Sequence, residues 1–149
     1  MNILIKTFTE LTKEELYALL QLRSEVFVVE QDCVYQDIDG KDNQALHVLG
    51  YENKILVAYL RIFGPEIYFE NPSLGRVVVK KNHRKKAFGQ LLLLKSLEKM
   101  DSLYADKNIE ISAQTYLKKF YEDFNFKQVG EGYLEDGIPH IKMLRAPKS

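Results

Sequence analysis

Short segments of alternating apolar and polar residues recur along the chain, and this period of two predicts β-strands. Two of them, Ala45–Tyr51 and Lys54–Phe63, are separated only by Glu52-Asn53 and predict an antiparallel hairpin. A turn is also predicted at Glu135-Asp136-Gly137. The remaining predicted strands are Ile3–Phe8, Ile67–Phe69, Gly75–Val79, Asn108–Ser112, Lys127–Val129 and Pro139–Leu144.

Three other segments have apolar residues at helical spacing. The first begins at Thr12 and Glu15, which form a capping box, and is predicted to run to about Val29. Arg23 is expected on its solvated face. The predicted apolar face of this helix consists of Leu19, Leu22, Val26 and Val29. The other two helices are predicted at Ala87–Tyr104 and around the stripe Leu117, Phe120 and Phe124.

The order β-α-ββ-β-α-β-α-ββ predicts a mixed α/β sheet with helices packed on its faces. The connections after residues 79 and 112 lead from a strand into a helix and are expected at the same end of the sheet, where ligands bind. A chain of 149 residues predicts one domain, 1–149, with a core of about 3–145 and a loose tail over 146–149.

Composition narrows the class of protein. Hydrophobic residues at 46% and charged residues at 28% are typical of a soluble globular chain. We expect no signal peptide and no membrane span, because no basic segment precedes an apolar one at the start and no apolar run is long enough. The single cysteine, Cys33, favours a reducing, cytoplasmic location. The three histidines lack metal-ligand spacing, so no metal is expected.

The net charge is zero, but it is distributed unevenly. Residues 1–74 hold 6 Lys and Arg against 12 Asp and Glu, whereas residues 75–149 hold 15 against 9. The basic half suits an anionic cofactor, and the acidic half suits a cationic acceptor such as an amine. A total of zero argues against a nucleic-acid-binding protein, which depends on phosphate contacts.

Residues 74–100 combine a strand, a basic turn and a helix. The strand residues Arg76–Val79 lead into the turn Lys80–Lys86, and the helix follows from Ala87. Turn amides and the positive end of a helix dipole hold phosphate groups, and the small side chains of Ala87 and Gly89 let a ligand approach the backbone. The segment therefore predicts a pyrophosphate site.

This segment also resembles a known family. Arg84–Gly89, RKKAFG, is similar to the Q/R-x-x-G-x-G/A signature of the GNAT acetyltransferases, with Ala87 at the first Gly. Phe120–Phe126, FYEDFNF, resembles the F/L-Y-E-x-x-G-F helix of the same family. Asn125 replaces Gly there, and Asn tolerates the left-handed conformation. Further similarity, over Leu16–Gly40, Ala113-Gln114 and Asp136–His140, points to the ElaA-like branch, in which a Pro usually stands at the position of Val34.

The resemblance implies a GNAT fold: a mixed, mostly antiparallel twisted sheet splayed between β4 (Gly75–Val79) and β5 (Asn108–Ser112), with helices on both faces. It implies acetyl-CoA as cosubstrate and Tyr121 as the acid that protonates the departing CoA thiolate. The implied cofactor-binding residues are Val77, Val78, Val79, Arg84, Lys85, Lys86, Ala87, Phe88, Gly89, Gln90, Gln114 and Phe120.

An amine must lose its proton before it attacks a thioester. A lysine-like amine with a pKa of ~10.4 is neutral in only about 1 molecule per 10³ at pH 7, so a base is required. The candidates are Glu30, Asp37, Asp39 and His140, and a carboxylate of the acidic loop Glu30–Gly40 is favoured. The alternative for this loop is a solvated surface loop. A backbone amide near Val78 is expected to stabilise the oxyanion.

The predicted function is acetyl-CoA-dependent N-acetylation of a primary amine, on a small molecule or peptide, by direct attack. The alternative is a non-catalytic acyl-CoA-binding or sensing module. A third hypothesis, acetylation of aminoacyl-tRNA, conflicts with the zero net charge. A fourth hypothesis is a generic phosphate-binding domain. The sequence has no G-x-x-x-x-G-K-S/T loop, which argues against a nucleotide hydrolase. Neither nucleic-acid nor membrane partners are expected. The oligomeric state is left open, a homodimer included.

Overall fold

A computed structural model describes residues 1–148, which form eight strands and three α-helices. The strands are β1 (Asn2–Thr7), β2 (Leu46–Glu52), β3 (Ile55–Phe63), β4 (Ser73–Val79), β5 (Ile109–Gln114), β6 (Phe126–Gln128), β7 (Tyr133–Glu135) and β8 (Ile138–Arg145). The helices are α1 (Lys13–Arg23), α2 (Phe88–Leu103) and α3 (Lys118–Glu122). A π-helical segment, Ser24–Glu30, continues α1, and single 3₁₀ turns occupy Asp42–Gln44, Lys81–Lys86 and Thr115–Leu117.

The eight strands form one sheet in the order β1-β2-β3-β4-β5-β8-β6, with β7 paired to β8. Every pair is antiparallel except β4 and β5, which run parallel and share only the Ser73–Glu110 register position. There the Glu110 amide donates to the Pro72 carbonyl at 2.9 Å. Beyond this point the two strands diverge, which confirms the splayed sheet. Because β4 and β5 are parallel, the connections that follow them lie at the same end.

Helices cover both faces of the sheet. On one face, Leu19 and Leu22 of α1 pack with Leu49 and Tyr59 of the sheet. On the other face, the buried side of α2 packs against Val48 and Ala58, the chain neighbours of Leu49 and Tyr59. Neighbouring residues of a strand point to opposite faces, so alternate residues of the same strand belong to the two cores. The α2 residues in this core are Phe88, Leu92, Leu93, Leu97 and Met100.

The start of α1 is as predicted, but its end is not. Thr12 Oγ1 accepts from the Glu15 amide at 3.1 Å, and Glu15 Oε1 accepts from the Thr12 amide at 2.9 Å, which confirms the capping box. The prediction of a regular helix to Val29 is wrong, because a π-helical turn replaces the α-helical one after Arg23. The wider turn changes which residues share a face. Val29 is therefore 72% exposed, and Arg23 is fully buried rather than solvated.

Two further segments differ from the predictions. Ile67–Phe69, predicted as a strand, lies in a turn that the Glu66 amide closes by donating to the Glu70 carbonyl at 3.0 Å. β7 was not predicted, although the turn beside it was: Asp136 and Gly137 both have positive φ and join β7 to β8. In the tail, residues 146–148 belong to no helix or strand, and Ser149 lies outside the described residues. Within residues 1–148 we find no helix with the length and apolarity that crossing a membrane requires.

Candidate active site

The connection from β4 to α2 leaves backbone amides unpaired at one end of the sheet. Ala87, the residue before α2, has φ 58° and ψ 23°, the left-handed conformation that the first Gly of the GNAT signature would adopt. This conformation costs a non-glycine residue about 1–2 kcal/mol. No side chain caps α2, so its first-turn amides, which have no partner inside the helix, remain available. They suit a phosphate group.

A groove of about 970 Å³, its solvent-open mouth included, runs from this end along β4 to α3. An added Cβ at Gly89 would lie 3.6 Å from Val79 Cγ2 and 3.7 Å from Phe120 Cζ, so the glycine sits in the wall of the groove. Not every predicted cofactor residue lines it: Phe88 packs in the core, and Lys86 pairs with Glu52 at 3.2 Å. Lys85 and Ala87 are exposed beside it. The predicted residues that line the groove are Val77, Val78, Val79, Arg84, Gly89, Gln90, Gln114, Phe120 and Tyr121.

Glu30 and Arg84 bridge the groove. Arg84 Nε donates to the Val79 carbonyl at 3.0 Å, Nη2 donates to Glu30 Oε1 at 2.7 Å, and Nη1 donates to Glu30 Oε2. The hydrogen bonds from Arg84 lower the pKa of Glu30. Glu30, a predicted candidate base, thus lines the groove near the start of α2 and is ion-paired with an arginine.

A second cavity adjoins the groove and continues past the point where β4 and β5 diverge. The side chains of Gln31 and Gln114 hydrogen-bond each other at 3.3 Å and line both cavities. Phe27, Val77, Leu117 and Tyr121 are also shared. The two cavities therefore form one cleft, with the wide groove at one end and the β7–β8 hairpin at the other. The polar side chains at the hairpin end belong to Tyr35, Arg76, Ser112, Glu135, Asp136 and His140.

Tyr121 lies at the junction of the two cavities. It is 5% exposed, and its ring packs edge-on against Phe120 and Phe126 at 5.1 and 5.8 Å between centroids. Burial raises its pKa well above the ordinary value, and the nearby Tyr116 adds to this. The phenol is therefore protonated at neutral pH.

His140 is 8% exposed and faces Gln114 across the β5–β8 pair. Its Nδ1 lies 2.7 Å from the Ile138 carbonyl oxygen. A carbonyl can only accept a hydrogen bond, so Nδ1 carries the proton. The other nitrogen, Nε2, lies 3.5 Å from Glu135 Oε2. In the neutral ring Nε2 has a free lone pair, which is what a general base needs.

Asp37 and Asp39, the favoured candidate bases, line neither cavity. Arg23 Nε donates to Asp37 Oδ2 at 2.9 Å, and Arg61 donates to both oxygens of Asp39 at 3.0 and 2.6 Å. We name the full set the Arg–Asp cluster; it comprises Arg23, Arg61, Arg76, Asp37, Asp39 and Asp42.

The arginines of the cluster make Asp39 and Asp42 poor bases. Burial by itself would raise the pKa of Asp39, but the hydrogen bonds and charge of Arg61 outweigh it and hold that pKa well below its usual range. Asp42 is shifted in the same direction, with Arg23 and Arg61 outweighing its burial. Asp37 and Asp39 are thus already paired with arginines and lie outside both cavities, whereas His140 lines the cleft.

The sequence interpretation overlooked Glu135 and Ser112 as site residues. Ser112 Oγ donates to Glu135 Oε1 at 3.1 Å, and the Tyr133 hydroxyl lies 2.5 Å from Ser112 Oγ. Tyr133 faces His140 in the β7–β8 register, and Glu135 lies two residues further on the same side. The signal available in the sequence was this spacing of two around the Asp136-Gly137 turn, which places both side chains beside His140.

The comparisons with known proteins agree with this geometry. Residues 8–146 match the family model described as an acetyltransferase (GNAT) domain. This chain belongs to the GNAT acetyltransferase family. It is 48% identical over 139 residues to protein ElaA of Escherichia coli, and the match covers 92% of this chain and 91% of ElaA. The resemblance to the GNAT family and to its ElaA-like branch is thereby confirmed. Membership of this family makes the chain an N-acetyltransferase.

Solved GNAT structures support the same assignment. The crystal structure of Escherichia coli ElaA matches with a TM-score of 0.90 at 45% identity, covering 97% of this chain and 98% of that one. An acyl-CoA N-acyltransferase from Pseudomonas aeruginosa matches with a TM-score of 0.91 at 41% identity, covering 98% and 100%. An aminoglycoside 6′-N-acetyltransferase complexed with coenzyme A shares the fold, with a TM-score of 0.72 at 18% identity over 98% and 99%. Residues 1–148 hold no group of three or more His, Cys, Asp or Glu placed to bind a metal.

Proposed function

We propose that this GNAT enzyme transfers the acetyl group of acetyl-CoA to a primary amine. One observation carries the proposal: a single cleft joins the uncapped start of α2 to His140 Nε2, with Tyr121 at the middle. A phosphate site, an acid and a base in one cleft are what acetyl transfer requires.

The residues of the groove fit the cofactor. The uncapped amides of α2 and the basic side chains of Arg84 and Lys85 suit a diphosphate. Between Gly75 and Val79 the edge of β4 that faces β5 has no strand partner, so its backbone groups can pair with an extended pantetheine arm. Arg84 would exchange Glu30 for a phosphate oxygen. Acetyl-CoA supplies the diphosphate, the extended arm and the reactive thioester in this order along its length.

The proposed chemistry uses three groups of the chain. His140 Nε2 takes a proton from the ammonium, directly or through water, and the neutral amine attacks the acetyl carbonyl. A β4 amide near Val78 stabilises the negative charge on the carbonyl oxygen. The C–N bond forms, the C–S bond breaks, and Tyr121 gives its proton to the sulfur. The second amine proton returns to Tyr121, and His140 releases the first to solvent.

Thiol release from acetyl-CoA with a panel of primary amines tests this proposal, together with calorimetry of coenzyme A binding. We expect saturable binding and thiol release that requires an amine. Tyr121→Phe should lower kcat by about 10²-fold or more while the affinity for coenzyme A is kept, because it removes only the acid. Gly89→Ala should weaken coenzyme A binding, since the added methyl group enters the groove between Val79 and Phe120.

Two outcomes would contradict the proposal, and they differ in meaning. Normal coenzyme A binding without thiol release for any amine would favour a non-catalytic acyl-CoA-binding module. An absence of coenzyme A binding would contradict both the acetyltransferase and the non-catalytic module, because both require coenzyme A in the groove.

A further inference from the structure

The acceptor end of the cleft holds negative charge that no lysine or arginine neutralises. Glu135 and Asp136 line this end, and among residues 1–148 the only ionisable group within 4 Å of either carboxylate that could pair with it is His140, at 3.5 Å from Glu135. The one arginine that lines the cavity, Arg76, is already paired, with its Nε 2.8 Å from Asp37 Oδ1. The uncompensated charge of this cavity is therefore that of two carboxylates.

His140 gives an independent sign that a ligand binds here. The side chain is nine-tenths buried and lines the cavity, and its Nδ1 is bonded to the Ile138 carbonyl. Its Nε2 makes no hydrogen bond within residues 1–148 that meets the usual geometry, since Glu135 Oε2 lies at 3.5 Å. An imidazole nitrogen that faces a cavity without a hydrogen-bond partner is free to contact a ligand there.

Glu135 is held in place and lies further from the cofactor than His140. Its Oε1 accepts from Ser112 Oγ at 3.1 Å, and the Tyr133 hydroxyl donates to that same oxygen of Ser112. Glu135 also lines a smaller cavity beyond the acceptor cavity, next to Ser73 and Arg76, and it does not line the cofactor groove. An acceptor with its reacting amine at His140 would thus extend its other end toward Glu135.

We propose that Glu135 determines acceptor specificity: it selects amines that carry a second positive charge and disfavours amines that carry a carboxylate. This inference rests on the acetyl transfer proposed above. A cation beside an unpaired, partly buried carboxylate gains attraction that a neutral chain end does not, and an anion is repelled by a comparable amount. Each unit of acceptor charge is expected to change kcat/KM by roughly tenfold.

Three acceptors of equal length test the proposal: 1,4-diaminobutane, butylamine and 4-aminobutanoate. We expect kcat/KM to fall in this order at saturating acetyl-CoA, by about tenfold at each step. The value for the diamine is first divided by two, because either of its two equivalent amines can react. In Glu135→Gln each step should shrink to about twofold or threefold. Glu131→Gln, which removes an exposed carboxylate outside the cleft, is the matched control and should keep the wild-type ratios.

A second measurement separates the proposal from the acetyl transfer itself. Saturation-transfer NMR of 1,4-diaminobutane with the coenzyme A complex should show binding to the wild type and to Glu131→Gln, and about tenfold weaker binding to Glu135→Gln. Glu135→Asp keeps the charge and should recover part of the affinity. Thermal unfolding of each variant verifies that it is folded.

Turnover with equal ratios in the wild type and Glu135→Gln would overturn the specificity proposal and leave the acetyl transfer intact. If no amine turns over, the acetyl transfer fails, and the NMR comparison still decides whether Glu135 binds the diamine. Equal binding by both proteins would then overturn the role of Glu135 as well.

Discussion

The acidic loop before β2 and the β7–β8 hairpin both bring carboxylates close to Arg76 of β4. The two groups of carboxylates differ in their partners and in their burial. In the loop, Asp37 and Asp39 accept hydrogen bonds from arginine side chains at 2.6–3.0 Å, and their side chains are 5% and 18% exposed. In the hairpin, Glu135 accepts from a serine hydroxyl, and its side chain is 44% exposed. Two acidic segments that look alike in sequence therefore have different surroundings.

The difference follows from charge compensation. A buried carboxylate that accepts bonds from arginine stabilises the fold only while its partner remains, and losing the partner leaves an uncompensated charge. A carboxylate in a cavity without a cationic partner contributes little to the fold and can bind a ligand. The comparison predicts that substitutions in the Arg–Asp cluster change stability, whereas substitutions in the hairpin change activity.

Arg61→Met should have the largest effect. It leaves Asp39 and Asp42 without one of their cations inside the fold, so the free energy of unfolding should fall by about 3–5 kcal/mol. Urea unfolding measures the change. Lys95→Met is the control, because Lys95 pairs with Glu98 at the surface, and its effect should stay below about 1 kcal/mol. Similar changes in the two variants would refute the structural role of the cluster.

His140→Gln should lower kcat/KM by about 10²-fold, since it removes the base and leaves the fold. The glutamine amide can still donate to the Ile138 carbonyl, so the free energy of unfolding should change by less than about 1 kcal/mol. Initial rates of both proteins at one pH with the same amine measure this. An unchanged kcat/KM would show that another group takes the proton.

The next largest effect should be the dependence of the unfolding free energy on acid pH, to which Asp39 and Asp42 contribute. The pKa values of Asp39 and Asp42 are lowered in the folded state, so the stability they contribute is complete above the unfolded pKa near 3.9. It is lost as the pH falls through the lower, folded pKa, with a slope of up to about 1.4 kcal/mol per pH unit for each proton.

Asp39→Asn should therefore flatten the dependence of the unfolding free energy on pH between about 5 and 2. Parallel curves for the wild type and Asp39→Asn would contradict the shift assigned to Asp39.

Ser112→Ala should have the smallest effect. The hydroxyl orients Glu135, so its loss should raise the KM for a diamine about two- to tenfold, or 0.5–1.5 kcal/mol, with kcat retained. Steady-state kinetics with butylamine provide the internal control, because that acceptor has no second charge for Glu135 to hold. A fall in kcat with both acceptors would assign Ser112 to the chemical step instead.

Much of the fold could be predicted because it depends on neighbouring residues. The Thr12–Glu15 capping box, the β2–β3 hairpin and the left-handed Asn125, with φ 72°, all follow from local chemistry. These features were predicted from a few adjacent positions, because backbone propensity and side-chain period act over a few residues. The left-handed turn before α2 was not predicted, because Ala87 stands where the motif has glycine and yet takes the conformation typical of glycine.

The candidate base and the acceptor side depended on distant pairings instead. Arg23 reaches Asp37 over 14 residues, Arg61 reaches Asp39 over 22, and Gln31 reaches Gln114 over 83. The sequence by itself determined most of the strand and helix pattern, the basic turn before α2 and the position of Tyr121 within its motif. Only the tertiary structure decided which carboxylates meet an arginine and which line the cleft. Charge compensation depends on distance in space, and a linear pattern does not contain that distance.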